Sequence, residues 1–366
     1  MITVEAVLDA LRQVIDPELG YNVVDLDMIR DVQVANGTVS FVLVLTVADC
    51  PFAQELADKA RAAIAALDGV NNVQVRTMEM TPEERGALAE KLKAMSGAAG
   101  PTQAQLLNNI GRIVAVMSGK GGVGKSSVAA LLAVALRRAG RLVGILDADI
   151  TGPSIPKLFG VKGVLSAVPL GVLPAKSRTD IQIVSMNLLL PREDEVVIWR
   201  GPLIAKALDE LWRQVFWGDL EYLLVDLPPG TSDAALTVMQ TLPLDGVVMV
   251  TTPQELSTMI VRKAVHMTEK LNVSVLGVVE NMSYFVCPNC GQKYELFGPS
   301  RCAEMAEAAH APLLGQLPVD PEISRLGDAG QIEEYQSEAY EQLAQAFAVA
   351  VPVRSPEAAR AMWTNL

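Results

Sequence analysis

The chain has 366 residues, half of them hydrophobic, which is enough for two packed cores and more than the ~250 to 300 residues that a single core usually serves. Forty-two acidic residues against thirty basic ones leave a formal charge of -12, which repels nucleic acid unless basic residues gather on one face. No apolar run approaches the ~20 residues that cross a bilayer, and Met1-Ile2-Thr3-Val4-Glu5 carries no basic flank ahead of an apolar stretch, so no nucleic-acid partner, no membrane and a cytoplasmic location are expected.

In chain order, Val4 to Ile15 has apolar residues at helical spacing, Thr38 to Thr46 alternates and is rich in β-branched residues, and Ala53 to Leu67 is helical again. The order reads helix, strand, strand, helix, strand, followed by an acidic-to-basic helix from Pro82 to about Met95: a small α+β unit over residues 1–95. Ser96-Gly97-Ala98-Ala99-Gly100-Pro101-Thr102 is small, polar and broken by Gly and Pro, which suits a linker over 96–105. From 106 to 366 the rhythm changes to strand then helix. Ile113–Met117, Val143–Leu146, Tyr222–Val225, Val247–Val250 and Val275–Val279 are nearly continuous apolar runs, as parallel strands buried on both faces require. The expected class is α/β, a doubly wound, mostly parallel sheet behind a small α+β domain.

Gly119-Lys120-Gly121-Gly122-Val123-Gly124-Lys125-Ser126 matches G-x-x-x-x-G-K-[ST], follows a predicted strand and opens a predicted helix from Val128 to Ala139, the context this phosphate loop needs. Its glycines let backbone N–H groups turn onto phosphates, and the helix N-terminus adds partial positive charge. Lys125 would neutralise β and γ oxygens of ATP and the Ser126 hydroxyl would ligate Mg²⁺, with Ser127 beside it. Tyr222-Leu223-Leu224-Val225-Asp226 is an apolar strand ending in an acid, which makes Asp226 the second metal-side residue. A Gly-rich turn without a ligand and an Asp serving as a helix cap are the plainer readings of the two segments.

Cys287-Pro288-Asn289-Cys290-Gly291 has the spacing at which two thiolates converge on one metal, but a closed zinc site or an iron-sulfur cluster takes four ligands as a rule. Two copies related by a two-fold axis would supply them. A redox pair and a zinc knuckle completed by Cys302 plus one other group stay open, and spacing alone does not choose the metal. His266 and His310 fall in expected helices. Cys50 reads as a buried small hydrophobe, and Asp16 with Glu18 as a turn at an Asp-Pro step.

Lys120, just after the first glycine, is not required by an ordinary phosphate loop. With it the loop resembles the deviant Walker A of MinD-like ATPases, and the resemblance implies that Lys120 reaches the partner's nucleotide across a homodimer. Asp147-Ala148-Asp149-Ile150-Thr151-Gly152-Pro153-Ser154 is similar to that family's switch I, which implies that Asp149 orients the attacking water. Asp226 to Asp233 is similar to switch II, and Asn281 falls where the family's adenine-contacting asparagine sits. Trp199-Arg200-Gly201-Pro202, Asp226-Leu227-Pro228-Pro229-Gly230-Thr231-Ser232-Asp233 and the run from Glu280 to Cys290 narrow the resemblance to the Mrp/ApbC group of iron-sulfur cluster carrier ATPases. Asp16 to Gly20, Asn22 to Leu26 and Thr46 followed by Cys50-Pro51 resemble the SufT/PaaD-like domain often fused in front of them. The resemblance implies ATP, Mg²⁺ and a labile cluster, 4Fe-4S, bridging two subunits at Cys287 and Cys290, with apo-proteins and cluster scaffold proteins as partners; it also raises the expectation that Cys50 handles iron transiently. Two departures stand out: Asp27 where the family has glycine, and Arg301-Cys302 where it has a Gly-Gly pair. The rival readings are a MinD/ParA-like switch with a structural zinc knuckle, and a metal-insertion GTPase; the tail from Val353 to Leu366 lacks a basic amphipathic helix and the chain shows no N-K-x-D guanine reader.

Overall fold

The structure, a computed structural model, describes residues 2–16, 21–45, 53–81, 107–149, 152–168, 171–189, 201–230, 232–254, 256–355 and 357–359, with scattered residues between 83 and 91. By its internal contacts the chain divides into two compact units, Met1–Gly100 and Pro101–Leu366. The expected linker, Pro17 to Gly20, Thr46 to Pro51 with Cys50, Ile150 and Thr151, Trp199 and Arg200, Thr231 and the tail from Arg360 lie outside the described residues.

In the first unit β1 (Ile29–Ala35) and β2 (Thr38–Leu45) form an antiparallel hairpin. Its turn is Asn36-Gly37, both at positive φ, which suits a tight two-residue loop. The helix Ala53–Ala65 then crosses over and delivers β3 (Asn72–Glu79) parallel to β2. Leu56, Ala60 and Ile64 of that helix share one core with Val7 and Leu11 of the helix Val4–Leu11 and with Phe41 and Leu43 of β2. The first helix is shorter than its apolar spacing suggests. It stops at Leu11 with Arg12 as cap, Val14 turns inward through an N–H to Leu11 O bond of 3.0 Å, and Ile15 is left exposed. After Leu11 the chain tightens into i→i−3 bonds, Gln13 N–H to Ala10 O at 3.2 Å beside that of Val14, and Asp16 N–H then pairs with Tyr21 O at 2.9 Å instead of with the helix. Asp27 is in the left-handed region at φ 54, the conformation that favours glycine. Of the helix expected over Pro82 to Met95, Glu83, Glu84, Ala87, Leu88 and Lys91 are described, and all five are helical.

The second unit is built on β4 (Asn109–Ser118), β5 (Val143–Asp147), β6 (Ser166–Val168), β7 (Gly171–Leu173), β8 (Ala175–Lys176), β9 (Gln182–Ser185), β10 (Asp219–Asp226), β11 (Gly246–Thr251), β12 (Val275–Val286), β13 (Lys293–Tyr294) and β14 (Leu313–Val319). The main sheet runs β13-β12-β11-β4-β10-β5-β9-β8, with β14 also on β12, while β6 and β7 form a separate ribbon. From β12 to β9 every neighbouring pair is parallel, and only β13 and β8 at the ends run antiparallel. All five apolar runs singled out in the sequence are central parallel strands. Helices between them cover the faces, so β5 and β11 are buried along their whole length. Among the described residues no helix is long and apolar enough to cross a membrane. The C-terminal ends of β4, β5 and β10 meet at one edge of the sheet, where ligands of open α/β folds bind.

Candidate nucleotide and metal sites

β4 ends at Ser118, the loop Gly119 to Gly124 follows, and the helix Lys125–Arg138 begins inside the motif. Lys125, Ser126 and Ser127 thus form the first helical turn, three residues before the start expected at Val128. Gly122 and Gly124 both sit at φ +78, which a side chain would strain. A Cβ on Gly122 would meet nothing within 4 Å, so the space over the loop is open, whereas a Cβ on Gly124 would lie 2.4 Å from Asn281 Nδ2. Lys120 O accepts from Ser118 Oγ at 2.9 Å, and Ser118 O accepts from Gly230 N–H at 3.0 Å, tying the loop to the segment after β10.

Beneath the loop lies a buried charge cluster. Lys125 Nζ stands 2.5 Å from Asp226 Oδ1 and 3.3 Å from Ser126 Oγ, and the lysine and aspartate side chains are 5% and 0% exposed. Asp226 is in direct register with Asp147 on the neighbouring strand, so two carboxylates share one dry pocket. Asp147 accepts N–H bonds from Asp149 (3.2 Å) and Ile155 (3.1 Å), and Asp149 accepts one from Gly152 (3.2 Å). Burial, followed by the charge of Asp226, pushes the Asp147 carboxyl well above the usual carboxylate range. Burial also raises Asp226, against the opposing pull of Lys125. Asp226 Oδ2 is buried with no hydrogen-bond partner. A buried oxygen without a partner is costly, and Asp226 with the Ser126 hydroxyl are residues of a kind that could hold a divalent cation here.

The cysteine pair occupies the tip of a ribbon. β12 and β13 pair antiparallel through Phe285 with Tyr294 and Val286 with Lys293, and Cys287 follows directly on β12. Cys287 N–H donates to Gln292 O at 2.9 Å, Gly291 N–H donates to Cys287 O at 2.8 Å, and Gly291 at φ +72 closes the turn. The N–H groups of Asn289 and then Cys290, with the Cys290 thiol, hold the Cys287 thiol below its ordinary pKa and so favour the thiolate that binds metal. Cys287 is half-buried and Cys290 exposed. A redox pair of the thioredoxin kind would open a helix, whereas this pair leads into β13. Among the described residues no group of three or more His, Cys, Asp or Glu side chains converges to hold a metal ion.

Residues 109–351 match the family model of the NUBPL iron-transfer P-loop NTPases, and residues 4–75 match that of an iron-sulfur cluster assembly protein. The chain belongs to this NTPase family. It is 42% identical over 90% of its length to the iron-sulfur cluster carrier protein of Synechocystis, of which it covers 91%, and 39% identical over 90% to that of Aquifex aeolicus, covering 92%. Among solved structures, a nucleotide-binding protein of Archaeoglobus fulgidus in complex with ADP is 46% identical, with a TM-score of 0.57 over 64% of this chain and 92% of that one. The cell division ATPase MinD of Pyrococcus furiosus, 23% identical with a TM-score of 0.50 over 64% of this chain and 98% of that one, shares the fold.

In this iron-transfer NTPase, Gly119, Gly121, Gly122, Val123, Gly124, Lys125, Ser126, Asp149 and Asp226 all gather at the C-terminal edge of β4, β5 and β10. Asn281 comes to the same place from β12, and its Nδ2 donates to Val123 O at 2.8 Å. Lys120 Nζ donates to Gln254 Oε1 within the chain. Sequence reasoning passed over Asp147, although it lies in the quoted switch-like segment; an acid two residues before Asp149 was its only signal. Cys302 opens the helix Cys302–Ala309, and its Sγ stands 3.2 Å from Glu280 Oε2. His310 is not in a helix but caps this one in the left-handed region, φ 49.

Proposed function

We propose that the chain is an ATP-binding and ATP-hydrolysing iron-sulfur cluster carrier that holds a labile cluster as cargo on Cys287 and Cys290 and passes it to apo-proteins. One observation carries the reading: β12 sends Asn281 onto the phosphate loop and ends at Val286, immediately before Cys287, so nucleotide and cargo cysteines hang on one strand. The names and matches of the relatives support the same assignment. In this account the loop from Gly119 to Ser127 surrounds the phosphates and Lys125 leaves Asp226 to neutralise them. Asp226 and Ser126 hold Mg²⁺, which supplies charge to the phosphate oxygens when bound, and Asp149 orients the attacking water. Asn281 reads the adenine side of the pocket, and Lys120, freed from Gln254, reaches the nucleotide of a second copy.

Pairing of two copies would bring four thiolates together, the number a 4Fe-4S cluster requires. The deep burial of the nucleotide cluster and the exposure of Cys290 suit this division of labour: phosphates are handled in a dry pocket, while the cargo is held where an acceptor can reach it. Residues 1–95 serve as an accessory domain joined through a linker at 96–105, and the setting is cytoplasmic. The test is anaerobic reconstitution with iron and sulfide, then transfer to an apo-protein with and without ATP. Uptake of zinc alone, at one ion per chain, would instead favour a nucleotide switch with a structural knuckle.

A further inference from the structure

β12 is irregular where it passes the phosphate loop. Glu280 stands opposite Gln316 of β14 and Tyr284 opposite Pro318, so four steps along β12 match two along β14. Asn281, Met282 and Ser283 thus stand against the single Leu317, a bulge with two surplus residues. Met282 lies at φ +57, a region that strains a non-glycine residue and persists only where the surroundings hold it. Bulges of this kind re-aim a side chain beside a functional site. Here the side chain sent out is Asn281, onto Val123 O at 2.8 Å.

The surroundings that hold the bulge centre on Glu280, whose side chain is fully buried. Its Oε1 accepts from Arg301 N–H at 2.9 Å. Its Oε2 accepts from Ser300 Oγ at 2.8 Å, from Gln316 Nε2 at 3.2 Å, from Cys302 Sγ at 3.2 Å and from the Ser283 hydroxyl. These donors come from the bulge itself, from β14 and from the start of the helix Cys302–Ala309. Burial alone would push the Glu280 carboxyl up, yet the bonds from Ser283, Arg301 N–H, Ser300 and Cys302 hold it below its ordinary value. Burial, reinforced by Glu280, pushes the Cys302 thiol up to about 11, so it stays protonated and donates.

We propose that Glu280 is a positioning residue for the nucleotide loop: its carboxylate clamps the β12 bulge through Ser283, Gln316, Ser300 and Cys302, and thereby fixes Asn281 against Val123. Cys302 belongs to this clamp as a thiol donor, and not to the metal-ligand set. The clamp would act on nucleotide affinity whether or not the chain carries a cluster.

The test measures ATP turnover and iron uptake in the full chain for Glu280→Gln, Cys302→Ser and Cys302→Ala. Glu280→Gln should raise KM for ATP about three- to tenfold, the span of one or two net hydrogen bonds, with a much smaller change in kcat. Cys302→Ala should move KM the same way by less, and Cys302→Ser should restore it because a hydroxyl donates as the thiol does. In an Asn281→Ala background Glu280→Gln should add nothing further, since it acts through that residue. Lower melting temperature with KM unchanged would overturn the proposal by reducing Glu280 to a stability element. Loss of iron from both Cys302 variants at wild-type KM would overturn it by making Cys302 a ligand.

Discussion

Replacing Lys125 by methionine removes the cation from a pair that is almost wholly buried, 2.5 Å apart, and leaves Asp226 with one oxygen that has no partner and another that has just lost its own. Breaking a buried pair from one side costs about 3–5 kcal/mol. Asp226 recovers part of this by taking up a proton, since burial already raises its carboxyl and the cation opposing that rise is gone. A carboxyl whose folded pKa lies above its unfolded value contributes stability that is full below the unfolded pKa and is lost as pH rises through the folded one. The deficit of Lys125→Met should therefore be larger at pH 8 than at pH 5. At ~2–4 °C per kcal/mol for a unit of this size, a cost of about 3–5 kcal/mol should lower the nucleotide-free melting midpoint by about 6–20 °C at pH 8. In Lys125→Met with Asp226→Asn the stranded charge is gone, and most of the midpoint should return while ATP turnover stays absent. Circular dichroism melts at the two pH values, with a phosphate-release assay, decide it. A Lys125→Met midpoint equal to wild type, or a double variant less stable than the single one, would refute the buried-pair reasoning.

Three further outcomes are expected. Asp147→Asn should flatten the fall in stability as pH climbs above the usual carboxylate range, because the raised pKa of Asp147 is a source of that fall; parallel urea-midpoint curves against pH for variant and wild type would contradict this. Gly124→Ala should cost about 1–2 kcal/mol and weaken nucleotide binding, since its backbone is at φ +78 and the new methyl would lie 2.4 Å from Asn281 Nδ2, as titration with a fluorescent nucleotide would report. Lys120→Ala should bind nucleotide normally yet lose ATP-dependent self-association and most turnover, measured by sedimentation and phosphate release; normal turnover would remove the cross-subunit role.

The five central strands were legible because burial on both faces forces continuous apolar runs, and the phosphate loop because its chemistry demands glycine and lysine at fixed spacing. β9 and β14 escaped notice for the converse reason. Gln182–Ser185 is too short to show a period, and Leu313–Val319 is half-exposed and broken by Gly315 and Pro318. The sharp turn that brings Cys287 and Cys290 together was legible in their spacing, with Gly291 at φ +72 closing it. The Glu280 clamp could not, because it joins residues from β12, β14 and the approach to Cys302, brought together only by the sheet. Likewise Asp147 and Asp226 are far apart in sequence and become one electrostatic unit only through the parallel register of β5 and β10.

The central claim, that Cys287 and Cys290 carry the cargo, is tested most directly by iron and sulfide per chain after anaerobic reconstitution of wild type and the four single cysteine-to-alanine variants. Cys287→Ala and Cys290→Ala should each lose stable iron and sulfide while still binding ATP, because either change leaves two ligands per pair of chains; Cys50→Ala and Cys302→Ala should keep them. A Cys287→Ala protein that retains a full complement of iron and sulfide would contradict the account.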